Sequence, residues 1–224
     1  MRLRGLGEAP LWYDEIVTLH RATLPFPAMV ADALAKMHLP TYYALVGLIA
    51  EHGTGAAALR LPSAVLSSFA AGVLAVLGRR IGGTVWTGMA AGLLFALSPF
   101  QVLYGQEARP YALVVLAVAL SLAGLIRLVE SQDPAGDLLG WTLWAGGAVV
   151  TLYGMTLGAP WLAVSAAVVF ALVRVRPESE RAALLVRAVV ALGIVLALWL
   201  PWLPFLAGPV GKAVSSFWVA PATL

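Results

Sequence analysis

Five uncharged, apolar stretches divide this chain, and they limit what it can fold into more than any other feature. They run from Leu61 to Gly78 (18 residues), Ile81 to Gln106 (26), Pro110 to Ile126 (17), Leu138 to Val173 (36) and Ala188 to Gly211 (24). A helix needs about 20 apolar residues to cross a hydrocarbon core of ~30 Å. Four of the stretches each fit one crossing. The 36-residue stretch would reach ~54 Å as a single helix, and Gly154, Gly158 and Pro160 near its middle offer a turn. It reads as two short crossings, 138–153 and 156–173. The sequence therefore predicts an all-α, polytopic transmembrane bundle of about six spans.

The rest of the composition agrees. Of 224 residues, 61% are hydrophobic and 11% charged, against about 45–50% and 25% in an ordinary soluble domain. Too little polar surface is left to coat a water-soluble particle, which argues against a soluble enzyme, a disordered chain and a nucleic-acid binder. The net charge of +3 is small and reads as topology. With no cysteine, disulfides, thiolate metal sites and cysteine nucleophiles are excluded.

Positive charge orients the spans. The predicted tight turn Gly78-Arg79-Arg80-Ile81, the loop opening with Arg127, and the loop 174–187 with Arg174, Arg176, Arg181 and Arg187 fall on one side and hold seven basic residues. The opposite side after residue 58 holds three: Arg60, Arg109 and Lys212. Positive-inside bias makes the first side cytoplasmic. Reading 138–173 as one crossing would move four arginines outside, so the charge pattern supports two. Gly88-x-x-x-Gly92 and Gly154-x-x-x-Gly158 are small-residue pairs that allow close helix packing.

The first 58 residues carry Asp14, Glu15, His20, Arg21, Asp32, Lys36, His38, Glu51 and His52. No apolar core follows Met1-Arg-Leu-Arg4, so this is not a signal peptide. Pro27 to Lys36 has helical character. Thr41 to Ala50 reads as a helix too short to span, suited to the membrane interface. The predicted domains are an extracytoplasmic first loop with interfacial helices (1–58), a transmembrane bundle (59–203) and an extracytoplasmic loop (204–224).

The polar residues that need explaining converge on the extracytoplasmic face. Asp14-Glu15, after Trp12-Tyr13, fits either a base with a metal ligand or a solvated loop flank. Glu107 and Arg109 stand at the mouth of the third span, where charge is costly; they suit a site or a paired interfacial anchor. His38, ahead of Pro40-Thr41-Tyr42-Tyr43, suits a metal, a phosphate or neither. Arg60 either snorkels to headgroups or meets a lipid-linked phosphate. Metalloprotease, nucleotide-phosphate, serine-hydrolase and dinucleotide motifs do not occur.

Five strings in order carry a resemblance: Leu11-Trp-Tyr-Asp-Glu-Ile-Val-Thr-Leu19; His38-Leu-Pro-Thr-Tyr-Tyr43; Ala58-Leu-Arg-Leu-Pro-Ser63 with Gly78-Arg-Arg80; Leu97-Ser-Pro-Phe100 followed by Tyr104-Gly-Gln-Glu-Ala-Arg-Pro-Tyr111; and Pro201-Trp-Leu-Pro-Phe205 with Phe217-Trp218. Together they resemble GT-C polytopic glycosyltransferases of the family 39-like group, related to protein O-mannosyltransferases, aminoarabinose transferases and Rgt-type lipopolysaccharide transferases. The chain departs from that pattern at Leu39, which replaces the first proline of a pair, and near Tyr153, where many relatives have Thr-His-Tyr. Relatives also carry a membrane helix before the first motif and several after the last, which implies a fragment of a longer protein.

The resemblance implies inverting transfer of a sugar from a polyprenyl-phosphate donor to a lipid, glycan or protein acceptor. It places the chain in a bacterial plasma membrane with its active face outside. Asp14 is then the catalytic carboxylate with Glu15 as its neighbour, and Arg109 or Arg60 binds the donor phosphate. His38, Glu107 and Tyr42 become substrate or metal candidates, and a divalent ion is a possible cofactor. The alternative is a non-catalytic membrane protein, transporter-like or an assembly partner. Transporters place polar groups near the bilayer midplane, whereas the spans here hold no charge.

Overall fold

The computed structural model describes residues 2–36, 38–50, 53, 55, 56–155 and 158–202. The predicted 204–224 loop, with Lys212, Phe205 and Phe217-Trp218, lies outside the described residues, as do Glu51 and His52. Among the described residues every regular element is helical. Three short helices come first: α1 (Tyr13–Thr23), α2 (Phe26–Ala35) and α3 (Thr41–Ala50). The bundle follows: α4 (Ala56–Gly82), α5 (Val85–Leu97), α6 (Pro99–Gly105), α7 (Tyr111–Glu130), α8 (Leu138–Gly154), α9 (Ala159–Val175) and α10 (Glu178–Trp199), then one 3-10 turn at Leu200–Trp202.

Three boundaries differ from expectation for local reasons. The first turn is not at Gly78–Ile81, because α4 continues through both arginines to Gly82. The chain reverses at Gly83, whose φ of +72° suits a residue without Cβ. Thr84 then caps α5 by accepting the Thr87 N–H at 3.1 Å. The 26-residue stretch is not one straight span, because α5 and α6 meet at a bend of 62°. Pro99 has no N–H to offer the Phe95 carbonyl. Arg2 serves there instead: its Nη2 donates to Phe95 O at 3.3 Å and its Nη1 to Ala96 O at 3.2 Å. Finally, most of the predicted 174–187 loop is helix, since α10 already begins at Glu178.

Three helices are long and apolar enough to cross a membrane: α4, α7 and α10 with its 3-10 extension. The bent pair α5–α6 makes a fourth if counted as one. α8 and α9 are apolar but have 17 residues each, which is about 26 Å of helix.

Contacts show that the bundle helices alternate in direction. Arg80 and Glu130 join the ends of α4 and α7, and Arg127 and Asp137 join the end of α7 to the start of α8. Arg176, after α9, donates to the Val129 and Ser131 carbonyls. At the other end the Tyr153 hydroxyl of α8 donates to Leu198 O of α10 at 2.6 Å. Arg80, Arg127 and Arg176 are thus gathered at one end, whereas Arg187, expected in a loop, stands within α10.

Small residues set the closest approaches. A Cβ on Gly88 would lie 2.7 Å from the Ala75 carbonyl, and one on Gly147 would lie 2.5 Å from the Ala117 carbonyl. Gly88 and Gly92 therefore pack α5 onto α4 as expected. Gly154 and Gly158 do not form such a pair, because they sit on either side of the break between α8 and α9. Trp141 and Trp144 centre the largest core cluster, between α7, α8, α9 and α10, with rings 5.7 Å apart edge to face. The outer faces are apolar: Phe69, Trp86, Leu94, Val164, Val189 and Ile194 are exposed, a surface suited to lipid rather than water.

Candidate functional site

A smaller cluster of Tyr42, Val46, Leu59 and Ala108, with Leu11 and Leu19 against it, binds the short helices to the bundle end opposite the basic one. It brings residues from four separate segments together. α1 begins at Tyr13, so Asp14 and Glu15 stand in its first turn, where carboxylates favour the helix dipole. Consecutive helical residues point about 100° apart, and the two carboxylates part accordingly.

Glu15 turns inward and is fully buried. Its Oε1 accepts from Arg60 Nε at 2.8 Å and from the Ala108 N–H at 2.9 Å. Its Oε2 accepts from Arg60 Nη2 at 2.6 Å and from the Trp12 N–H at 3.4 Å. Burial alone would raise the carboxyl pKa, but the Arg60 hydrogen bonds, the Ala108 N–H and the Arg60 charge outweigh it and hold the group below its usual range. Arg60 donates further to the carbonyls of Leu6, Ala9 and Pro10 at 2.9, 2.9 and 3.0 Å. All five guanidinium N–H groups are thereby used inside the chain. Expected as a phosphate ligand, Arg60 instead joins α4 to the N-terminal segment and has no donor to spare for one.

Asp14 remains partly exposed, and its Oδ2 lies 3.5 Å from Arg109 Nη2. The Arg109 side chain is 12% exposed, and its Nε has no hydrogen-bond partner among the described residues. The Arg109 backbone is fixed from behind. Ser63 Oγ donates to its carbonyl at 3.2 Å, so the buried Tyr42 hydroxyl, 2.6 Å from that Oγ, donates to Ser63. Burial pushes the Tyr42 hydroxyl well above its usual range, which keeps it a donor. Tyr42 thus holds Arg109 in place through Ser63.

Glu107 sits between the two pairs; its carbonyl accepts the Arg109 N–H at 2.8 Å, while its carboxylate makes no hydrogen bond to a described residue. Burial, then the Glu15 charge, push its pKa up, with Arg109 opposing and Asp14 adding. It shares a pocket of about 310 Å³ with Trp12, Gln106, Glu15 and Arg60. His38 is exposed, and its Nδ1–H donates to Lys36 O at 2.7 Å. Partial desolvation and the Arg21 charge lower its pKa, so the ring is neutral at neutral pH. Among the described residues no three His, Asp or Glu side chains converge as a metal site needs. Asp14, Glu107 and His38 do not by themselves form one.

Two parts of this site were not legible beforehand. Ser63 ends one of the resemblance strings without a chemical signal of its own, and Arg2 sits in a stretch with no motif. Gln106, which donates to the carbonyls of Arg2 and Arg4 at 3.2 and 2.9 Å, ties that stretch to the motif at 104–111. The sequence model of a family described as dolichyl-phosphate-mannose-protein mannosyltransferase matches residues 38–205. That span takes in His38, Tyr42, Arg60, Glu107 and Arg109, while Asp14 and Glu15 precede it. No curated protein and no solved structure gives a significant match.

Proposed function

The chain belongs to the dolichyl-phosphate-mannose-protein mannosyltransferase family, and on that premise we propose that it transfers a sugar from a polyprenyl-phosphate donor to an acceptor hydroxyl, with inversion at the anomeric carbon. The coarser statement needs no proposal: it is an integral membrane protein of the GT-C glycosyltransferase type.

One observation carries the finer reading: Asp14 and Arg109 stand 3.5 Å apart at a partly exposed mouth, with the Arg109 backbone fixed by Ser63. Asp14 acts as the base. As the acceptor oxygen attacks the anomeric carbon, its proton passes to an Asp14 carboxylate oxygen. The bond from the anomeric carbon to the phosphate oxygen breaks, and polyprenyl phosphate leaves carrying that oxygen and its electron pair. Arg109 stabilises the leaving anion with charge-assisted hydrogen bonds from its terminal Nη groups, one of which faces Asp14. A single displacement of this kind inverts the centre. Glu15, Arg60 and Tyr42 position these two groups without touching substrate. The mouth faces outside the cytoplasm, because the opposite end carries the basic connections.

Transfer from a polyprenyl-phosphate sugar in detergent or liposomes, measured against donor concentration, tests the assignment. Asp14→Asn should lower turnover by about 10²–10⁴-fold while donor KM changes little. Arg109→Ala should chiefly raise donor KM. Near wild-type turnover in Asp14→Asn removes Asp14 as the base.

A further inference from the structure

A second large cavity lies well away from the Asp14–Arg109 pair. It is an open groove of about 680 Å³ along one side of the bundle, walled by α4, α7 and α8. On α4 it follows a single stripe, Val65, Phe69, Gly72, Val76 and Arg80, spaced at three or four residues. Leu120, Ala123 and Arg127 of α7 and Leu139 and Leu143 of α8 complete it. From Val65 to Arg80 the stripe is about 22 Å long at ~1.5 Å per residue, most of a hydrocarbon core. Ser68 apart, it is apolar until the basic end, where it closes on two guanidinium groups, each 39% exposed.

Those guanidinium groups are incompletely used. Arg80 Nη1 meets Glu130 at 3.3 Å, and Arg127 Nε meets Asp137 at 2.7 Å. Their other N–H groups make no hydrogen bond to a described residue. Asp137 is occupied twice, since its Oδ1 also accepts the Gly140 N–H at the start of α8. A largely apolar groove about 22 Å long, ending in two arginines at the membrane edge, matches one ligand chemistry: a long hydrocarbon chain with a phosphate at its head.

We propose that this groove binds an anionic phospholipid of the leaflet at the basic end, with an acyl chain along the α4 stripe and the phosphate between Arg80 and Arg127. The site is separate from the transferase mouth and does not depend on the reading of Asp14. Its role is structural, filling an open groove between three helices.

Native mass spectrometry of the full chain released from nanodiscs of phosphatidylcholine with phosphatidylglycerol tests it. The wild type should retain phosphatidylglycerol selectively. Arg80→Gln with Arg127→Gln should cut that preference roughly 30-fold, the loss expected for two arginines at an anionic surface. Gly72→Phe gives an independent arm. A Cβ at Gly72 meets nothing within 4 Å, so the ring enters the groove without disturbing a helix contact. It should abolish retained lipid while leaving both charges in place. Equal retention of the two lipids, an unchanged preference in the arginine double variant, or full retention in Gly72→Phe overturns the proposal, as does a species of two chains without lipid. If the double variant fails to accumulate, Gly72→Phe decides.

Discussion

The two ends of the bundle handle charge in opposite ways. At the basic end Arg80–Glu130 is an open pair, with side chains 39% and 51% exposed, and Arg127 is equally open beside Asp137. At the other end Glu15 and Arg60 are removed from water and satisfied to the last donor. Exposed pairs contribute about 0–1 kcal/mol, so the basic end adds little to stability. A buried pair with one partner missing destabilises by about 3–5 kcal/mol. Both ends join residues distant in sequence, but the fully satisfied buried pair stands at the second end, and there the candidate site lies.

The sharpest way to break this comparison is topology. Reporters fused after Arg80, Asp133 or Glu180 should read cytoplasmic, and one after Arg109 should read outside. An outside signal at Glu180 would separate the arginines of 174–187 from the other basic residues and remove the argument for a single active face. Next in size is Glu15→Ala, which leaves Arg60 buried without its counter-charge. It should lower stability by about 3–5 kcal/mol, seen as loss of accumulation or a large drop in Tm in detergent. A near wild-type Tm would mean the two ends do not differ.

Acid separates the ends more gently. The Glu15 carboxyl is depressed in the folded chain, so its contribution is complete above the ordinary carboxylate value of about 4.3 and is lost as pH falls through the depressed one. Tm should therefore fall on acidification below about pH 4. Glu107 works in the other direction. Its raised value makes ionisation unfavourable to the fold as pH rises past the ordinary range, so Glu107→Gln should raise Tm at neutral pH. An acid-insensitive Tm in Glu107→Gln would count against the Glu15 pair. The smallest effect is expected from Glu130→Gln, within about 1 kcal/mol; a larger loss would show that the basic end is structurally coupled after all.

Much of the architecture was legible because the constraint is linear. Runs of apolar residues long enough for a membrane announce themselves without knowledge of their neighbours, and α3 and α8 begin where the sequence placed them. The helix ends were less legible. Whether Gly78 or Gly83 reverses the chain depends on which glycine faces another helix: Gly78 packs against Ala91 of α5 and stays helical, leaving the left-handed turn to Gly83. The bend at Pro99 follows from a missing N–H, yet the 26-residue run concealed it because the break changes no charge.

The candidate site divides along the same line. The sequence by itself determined that acidic and basic residues gather at the mouth of an apolar bundle, because charge is excluded from hydrocarbon wherever the chain goes. It could not assign their parts. Asp14 and Glu15 are adjacent and chemically alike, and Arg60 and Arg109 are equal as cations. Tertiary structure decided between them by bringing Glu15 to Arg60, 45 residues away, and to the Ala108 N–H, 93 residues away. Once Glu15 and Arg60 saturate each other in the core, the helical twist of α1 leaves Asp14 at the opening, where the α6–α7 connection brings Arg109 to it.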